Sequence, residues 1–178
     1  GGQLQSKMPE DLAQYALSLT VTGPINGTDI NQIHETMPYL ERLDLSNAQI
    51  VEGGEDYYRF YISSNVPQRE TYYHWPTENN VIGQYMFYNM PNLKQLALPN
   101  GATTMGQYAV AEDRKLTRVS MPAALTAIGS YAFNYDMKLT DLDIPSGVTV
   151  IGEYAFCEVP LKTVVIPEGV TRIENCTF

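Results

Sequence analysis

Ile128–Val150 reads IGSYAFNYDMKLTDLDIPSGVTV, and the rest of the chain repeats it. The leading hydrophobe recurs at Ile82, Met105, Ile128, Ile151 and Ile173, at spacings of 23, 23, 23 and 22 residues. Other columns keep the same step. An aromatic column runs Phe87, Val110, Phe133, Phe156, Phe178 and holds four of the five phenylalanines. Leucines recur at Leu93, Leu116, Leu139 and Leu161. Two more apolar columns run Leu96, Val119, Leu142, Val164 and Leu98, Met121, Ile144, Ile166, the latter followed at once by Pro99, Pro122, Pro145 and Pro167. Small residues precede most of the aromatics, as in Ala109, Ala132 and Ala155. A fixed step of this size means stacked turns, each burying its apolar columns against its neighbours. The expected fold is therefore a repeat solenoid, α/β to mostly β, right-handed, with parallel strands.

Each unit carries its own instructions. Leu-x-x-Leu-x-Leu places Leu96 and Leu98 on one side of a strand and Gln95 and Ala97 on the other. Proline ends that strand, because it cannot donate to a ladder. Glycines such as Gly101, Gly147 and Gly169 turn the chain. The Ala-Phe pair fills the interior. A tyrosine column, Tyr85, Tyr108, Tyr131 and Tyr154, is expected to form a half-exposed ladder of rings; the functional alternative is an aromatic stripe for a ligand.

Residues 1–50 read as an N-terminal cap with a first atypical repeat, since a bare solenoid end would expose apolar columns. Pro9-Glu10-Asp11 suggests the start of a short helix. Ala16–Thr22 alternates Leu17, Leu19 and Val21 with polar residues, which predicts a strand. Gly23–Gly27 reads as a turn. Thr28 would then cap a helix over Asp29–Met37, ended by Pro38. Leu40–Leu45 supplies the expected first solenoid strand. Residues 51–81 interrupt the count by about 30 residues beyond one turn and carry five of the thirteen tyrosines together with Trp75, the one tryptophan. Such insertions map to loops beside binding faces; this one is either a lid on the flank or a contact loop. Residues 82–178 hold four full repeats and a partial fifth.

Little in the composition suggests chemistry. The net charge is −9, with no basic stripe, which argues against nucleic acid and anionic lipid as partners. No apolar run is long enough to cross a membrane. The chain begins Gly1-Gly2, the mark of a processed or trimmed chain, so the missing signal segment says nothing about export. His34 and His74 stand apart from any metal-ligand spacing, and His34 is expected on a solvated helix face. Glu52, Glu55 and Asp56 read as a solvated acidic loop, with calcium a weak alternative. Asn26 and Asn175 each open a short glycosylation sequon, a weak signal. Cys157 and Cys176 fall in different columns, at the edge of disulfide geometry, and read as two thiols. No catalytic residue, cofactor site or metal site is expected, and the protein is read as not an enzyme.

The pattern Ile-Gly-x-Tyr-Ala-Phe…Leu-x-x-Leu-x-Ile-Pro-x-Gly-Val-Thr-x-Ile resembles the BspA-like class of leucine-rich repeats in bacterial surface proteins. Residues 82–178 carry it, and LTVTGPINGTDINQI followed by LERLDLSNAQI resembles the front end of such proteins. The sequence departs from the family's pattern at the insertion, at Val110 and at a mid-repeat stop, which implies further repeats or a cap in the parent. The resemblance implies a secreted or surface-attached protein, a role in adhesion to host matrix or cell-surface proteins, and no shared catalytic residues. A protein partner would meet the outward strand residues Arg42, Asp44, Gln95, Ala97, Arg118, Ser120, Asp141, Asp143, Thr163 and Val165. The insertion offers Tyr58, Tyr61, Tyr73 and Trp75 for protein or glycan. The chain is expected to be monomeric. The alternative roles are a structural spacer or stalk and a glycan-binding module.

Overall fold

The computed structural model describes residues 1–57 and 75–178. Tyr58, Tyr61 and Tyr73 lie outside the described residues. Two parallel ladders run up the stack on different sides of the turns. The Leu-x-Leu ladder is a four-stranded sheet of β1 (Ser18–Thr20), β3 (Arg42–Asp44), β6 (Gln95–Ala97) and β8 (Arg118–Ser120), in that order. Its register steps Leu19, Leu43, Leu96, Val119, each buried. The second ladder, at the corner after the proline, joins β5 (Val81–Ile82), β7 (Thr104–Met105), β9 (Ala127–Ile128) and β10 (Val150–Ile151). The chain is mostly strand with little helix and makes about five turns.

The sequence columns become the core. Phe87, Val110, Phe133 and Phe156 are fully buried, as are Ala109, Ala132 and Ala155 beside them. Phe133 lies on Phe156 at 5.4 Å between ring centroids, nearly parallel. The glycines after the column hydrophobe let the turns close. A Cβ on Gly129 would sit 2.6 Å from the backbone carbon of Gly106. Real side chains do not tolerate that approach, so the turn spacing itself requires glycine there.

The cap differs from the expectation in several ways. The strand is Ser18–Thr20 only; Leu17 is 55% exposed and only Leu19 points inward. Gly23–Ile25, read as a turn, is instead β2, paired in parallel with β4 (Ala48–Ile50). Pro24 is tolerated because β2 is an edge strand, where a missing N–H breaks no ladder. The helix, α3, spans Gly27–Thr36 and is capped by Asn26 rather than Thr28. Asn26 accepts the Thr28 N–H at 3.2 Å, and Asp29 accepts the Asn26 N–H at 3.0 Å. This reciprocal box competes better for the helix start than a threonine already inside it. The same Asp29 accepts the Leu4 N–H at 2.9 Å and thereby holds the short helix α1 (Leu4–Lys7), with α2 (Glu10–Ala13) following. Residues 40–45 do not open the solenoid: β1 precedes β3 in the same sheet, so the repeat begins one turn earlier than expected.

His34 is half-buried rather than solvated, with Nε2 2.8 Å from the Met86 carbonyl. That bond ties α3 to the next turn. Desolvation lowers the imidazole's pKa, so the ring is neutral near pH 7.

The insertion alters the two ladders unequally. β3 pairs directly with β6 on the Leu-x-Leu side. On the corner side both β4 and the strand after the insertion are present. The Asn80 N–H donates to the Ile50 carbonyl at 3.0 Å, and the Asn80 carbonyl accepts from Thr103 N–H at 2.9 Å. The corner ladder has gained a rung that the Leu-x-Leu sheet lacks. Tyr57 and Trp75 close the base of the inserted segment through an antiparallel bridge.

Candidate binding face

The outward residues of the Leu-x-Leu sheet converge on two adjoining grooves. The first, about 300 Å³, lies over β1, β3, β6 and β8 and is lined by Arg42, Asp44, Gln95, Ala97, Arg118 and Ser120, among others. The second, about 610 Å³, lies between β8 and residues 141–143, with Arg118 and Ser120 on one wall and Asp141 and Asp143 on the other. Arg118 and Ser120 border both, so the two form one surface.

The second groove lies where the sheet stops. Residues 141–143 occupy the next rung in the sequence count, yet they form no strand and are absent from the β1-β3-β6-β8 order. On the other side of the same turns the stack continues without a break. β9 pairs with β10, Tyr131 stacks on Tyr154 at 4.8 Å, and the Phe133 N–H reaches the Ala155 carbonyl at 2.8 Å. Turns four and five are therefore joined at the rings and share no strand pairing at the sheet. Val119 and Leu142 stay buried there, at 9% and 8% exposure, against 2% for Leu96 and 1% for Leu43.

Charge is distributed along this face. Arg42 and Arg118 are exposed, and neither enters a salt bridge among the described residues. Asp44 is committed locally: it accepts the Ser46 N–H at 2.9 Å and the Ser46 hydroxyl at 2.7 Å, and those bonds lower its pKa. Asp141 accepts the Thr140 hydroxyl at 2.7 Å, and Asp143 is exposed. At the rim, Glu41 pairs with Lys94 at 2.7 Å; that hydrogen bond, more than any other influence, lowers the carboxyl's pKa. Thr163 and Val165 are exposed, Val165 at 79%, and line neither groove. The grooves thus present Arg42 with Asp44, then Arg118, then Asp141 and Asp143.

Trp75 lies away from this face. Its ring extends the tyrosine column by one step, 4.9 Å from Tyr85 and tilted by 36°. Tyr85, Tyr108, Tyr131 and Tyr154 then stack at 4.7–4.9 Å, within 8° of parallel. All four adopt positive φ, from 52° to 59°. Their inner ring faces cover one another, which leaves mainly ring edges to solvent. Burial and neighbouring rings raise the Tyr108 pKa. Cys157 and Cys176 are both free thiols.

Sequence reasoning missed the break in the sheet after β8 and one buried pair. Asp113 and Asp136, one turn apart, are wholly buried. Met90 N–H donates to Asp113 Oδ1 at 2.5 Å and Asp113 N–H to Asp136 Oδ1 at 2.8 Å, so each carboxyl caps the turn before it. Both Oδ2 atoms lack a hydrogen-bond partner among the described residues. Desolvation pushes both carboxyls well above the usual range, and at Asp113 repulsion from Asp136 adds to it. The signal was available: both fall in a column three after the Phe position, where Val159 is apolar. No group of three or more metal-ligating side chains occurs among the described residues, and none of their helices is long and apolar enough to cross a membrane.

Comparison with known proteins bears on the repeat fold. Residues 59–178 match the model of the BspA type leucine rich repeat region, in six copies. Among solved structures, a leucine-rich repeat protein from T. pallidum is similar at 29% identity and a TM-score of 0.50, over 51% of this chain and 43% of that one. A leucine-rich repeat protein from Bacteroides ovatus is similar at 23% identity and a TM-score of 0.51, over 67% of this chain and 36% of that one. The pneumococcal vaccine antigen PcpA is similar at 19% identity and a TM-score of 0.47, over 86% of this chain and 40% of that one. The chain spans less than half the length of each of these proteins. A comparison with curated proteins finds no match.

Proposed function

The chain belongs to the BspA-type leucine-rich repeat family, and from that premise we propose that it is a non-enzymatic recognition module that binds a protein through its Leu-x-Leu face. Leucine-rich repeats generally mediate protein interactions. The observation that carries the reading is the pair of adjoining grooves, the second lined by Arg118 together with Asp141 and Asp143. Exposed charges at a groove steer and select a partner. The setting proposed is the cell surface or extracellular space, and the role adhesion to matrix or cell-surface proteins.

The test presents the whole chain to immobilised extracellular-matrix proteins and a glycan panel. Saturable binding to a protein, weakened roughly tenfold or more by Asp141→Lys with Asp143→Lys, is expected; one truncated partner of a charge pair at an interface costs this much or more. Binding unchanged by the double reversal would move the site off this face. No binding to any protein would favour the spacer reading. A response to glycans that shifts Trp75 fluorescence would instead assign recognition to the aromatic side.

A further inference from the structure

Of the four arginines among the described residues, two are neutralised and two are not. Arg114 pairs with Glu112 and Arg172 with Glu174, each at 3.1 Å. Arg42 and Arg118 pair with no carboxylate, and both line the groove of about 300 Å³ over the Leu-x-Leu sheet. The register places them. Arg42 is the partner of Gln95, and Gln95 of Arg118, so the three stand in one outward column, all exposed. Neighbouring strands lie about 4.8 Å apart, which sets the two arginines roughly 10 Å apart at the backbone. Gln95 between them is neutral and offers both a donor and an acceptor. The nearby carboxylates are engaged elsewhere: Asp44 accepts two bonds from Ser46, and Glu41 is held by Lys94.

Each free guanidinium can take a carboxylate through two parallel N–H bonds, so the pair calls for two carboxylates. The rest of the surface limits what carries them. The chain has a net charge of −9, so a polyanion is repelled at long range. Asp141 and Asp143 line the adjoining groove with Arg118 and would repel a third carboxylate placed beyond it. No aromatic side chain lines either groove, so a sugar ring has no platform to stack on here. An acidic peptide needs none. Its conformation follows from the spacing. In a polyproline II segment, side chains three apart share a face at about 9 Å, close to the arginine separation. In a β-strand, side chains on one face recur at about 6.6 Å and 13 Å, which fits less well.

We propose that Arg42 and Arg118 bind two acidic side chains, three residues apart, on a polyproline II segment of a protein partner laid across β3, β6 and β8. Gln95 meets the backbone between them, which such a segment leaves free to hydrogen-bond. The inference rests on the reading of this face as the recognition surface and adds the partner's chemistry.

The test titrates the whole chain, labelled for NMR, with the capped peptide Glu-Pro-Pro-Glu. Saturable binding is expected, with the largest side-chain shifts at the Nε–H of Arg42 and Arg118 and the amide of Gln95, and none at Arg114. Arg42→Gln or Arg118→Gln should each weaken it roughly threefold, and the two together roughly tenfold, the range of exposed charge pairs. Arg114→Gln should change nothing. Glu-Glu-Pro-Pro, with the same charge at the wrong spacing, should bind more weakly, and equal affinity for the two peptides overturns the proposal. Shifts as large at Arg114, or reproduced by acetate at the same carboxylate concentration, would mean a diffuse ion atmosphere and overturn it. A sialylated oligosaccharide that binds at Arg42 and Arg118 where the peptide does not would give the pair to an acidic glycan and overturn it too. Binding of a matrix protein that survives Arg42→Gln with Arg118→Gln, yet is lost on Asp141→Lys with Asp143→Lys, would keep the face as the recognition surface and overturn only the role of the arginine pair.

Discussion

Turns four and five are built twice, once well and once loosely. On the flank, Phe133 and Phe156 stack in full burial, Tyr131 and Tyr154 lie 4.8 Å apart, and glycine at 129 and 152 lets the backbones close. On the Leu-x-Leu side the same two turns share no strand pairing, and charged residues line the groove over them. One side holds the stack together and is therefore nearly featureless to a partner. The other gives up backbone bonds and gains an accessible edge. Low local stability is where binding elements are drawn from.

The sharpest way to break the contrast is to remove a side chain from each half. Phe133→Ala should cost about 3–5 kcal/mol in denaturant unfolding, because a fully packed ring leaves a cavity. Leu142→Ala should cost less, about 2 kcal/mol at the low end of that class, because it removes less volume and its stretch shares no strand pairing with β8. Equal losses would mean that the two sides are packed alike. Gly129→Ala should lower the melting temperature by several degrees through backbone collision with Gly106. Gly147→Ala, in a turn with 3.3 Å of clearance to the Leu125 carbonyl, should do so less.

The buried carboxyls on the flank give a pH signature. Their pKa values are raised in the folded state. A raised group contributes its stability below the unfolded value, about 3.9 for aspartate, and loses it as pH rises through the folded value. The stack should therefore gain stability on acidification, and Asp136→Asn should raise the melting temperature by a few degrees at pH 7 and flatten that slope. His34 works in the other direction. Its folded pKa is lowered, so the contribution of the α3 contact is complete above the unfolded value of about 6.5 and falls as pH drops below it. Replacing His34 by Gln should remove that acid sensitivity from the cap alone.

The smallest effects belong to the outer rings and the rim. Tyr131→Ala should cost about 1 kcal/mol, an aromatic pair's contribution. Tyr131→Gly should recover part of it by relieving the left-handed backbone at φ 59°. Asp141→Lys with Asp143→Lys should leave stability within about 0.5 kcal/mol.

Most of the flank was legible in the sequence, because each buried column repeats at the same step and each glycine sits at the same offset. The cap was less so. Gly23-Pro24 carries the letters of a turn, and only pairing with residues distant in sequence makes it an edge strand. Thr28 carries the letters of a cap as well as Asn26 does, and only the carboxylate of Asp29, which closes the capping box, decides for Asn26. The break in the sheet is hidden for a different reason. Leu142 and Ile144 keep the repeat unbroken, so the apolar count predicts a strand where none forms. The available signal is Asp141 and Asp143 themselves, a residue type depleted in strands, placed twice on one face.

Amide hydrogen exchange on the free chain tests the contrast most directly. Within the same two turns, the amides of Tyr131 and Phe133 donate to Glu153 and Ala155 at 2.9 and 2.8 Å and should exchange slowly. Those of Val119, Met121 and Asp143, at the open side, should exchange faster by about two orders of magnitude or more, the loss of protection expected when a local opening costs a few kcal/mol less. Equal protection on both sides would mean that the sheet is continuous past β8 and would contradict the break.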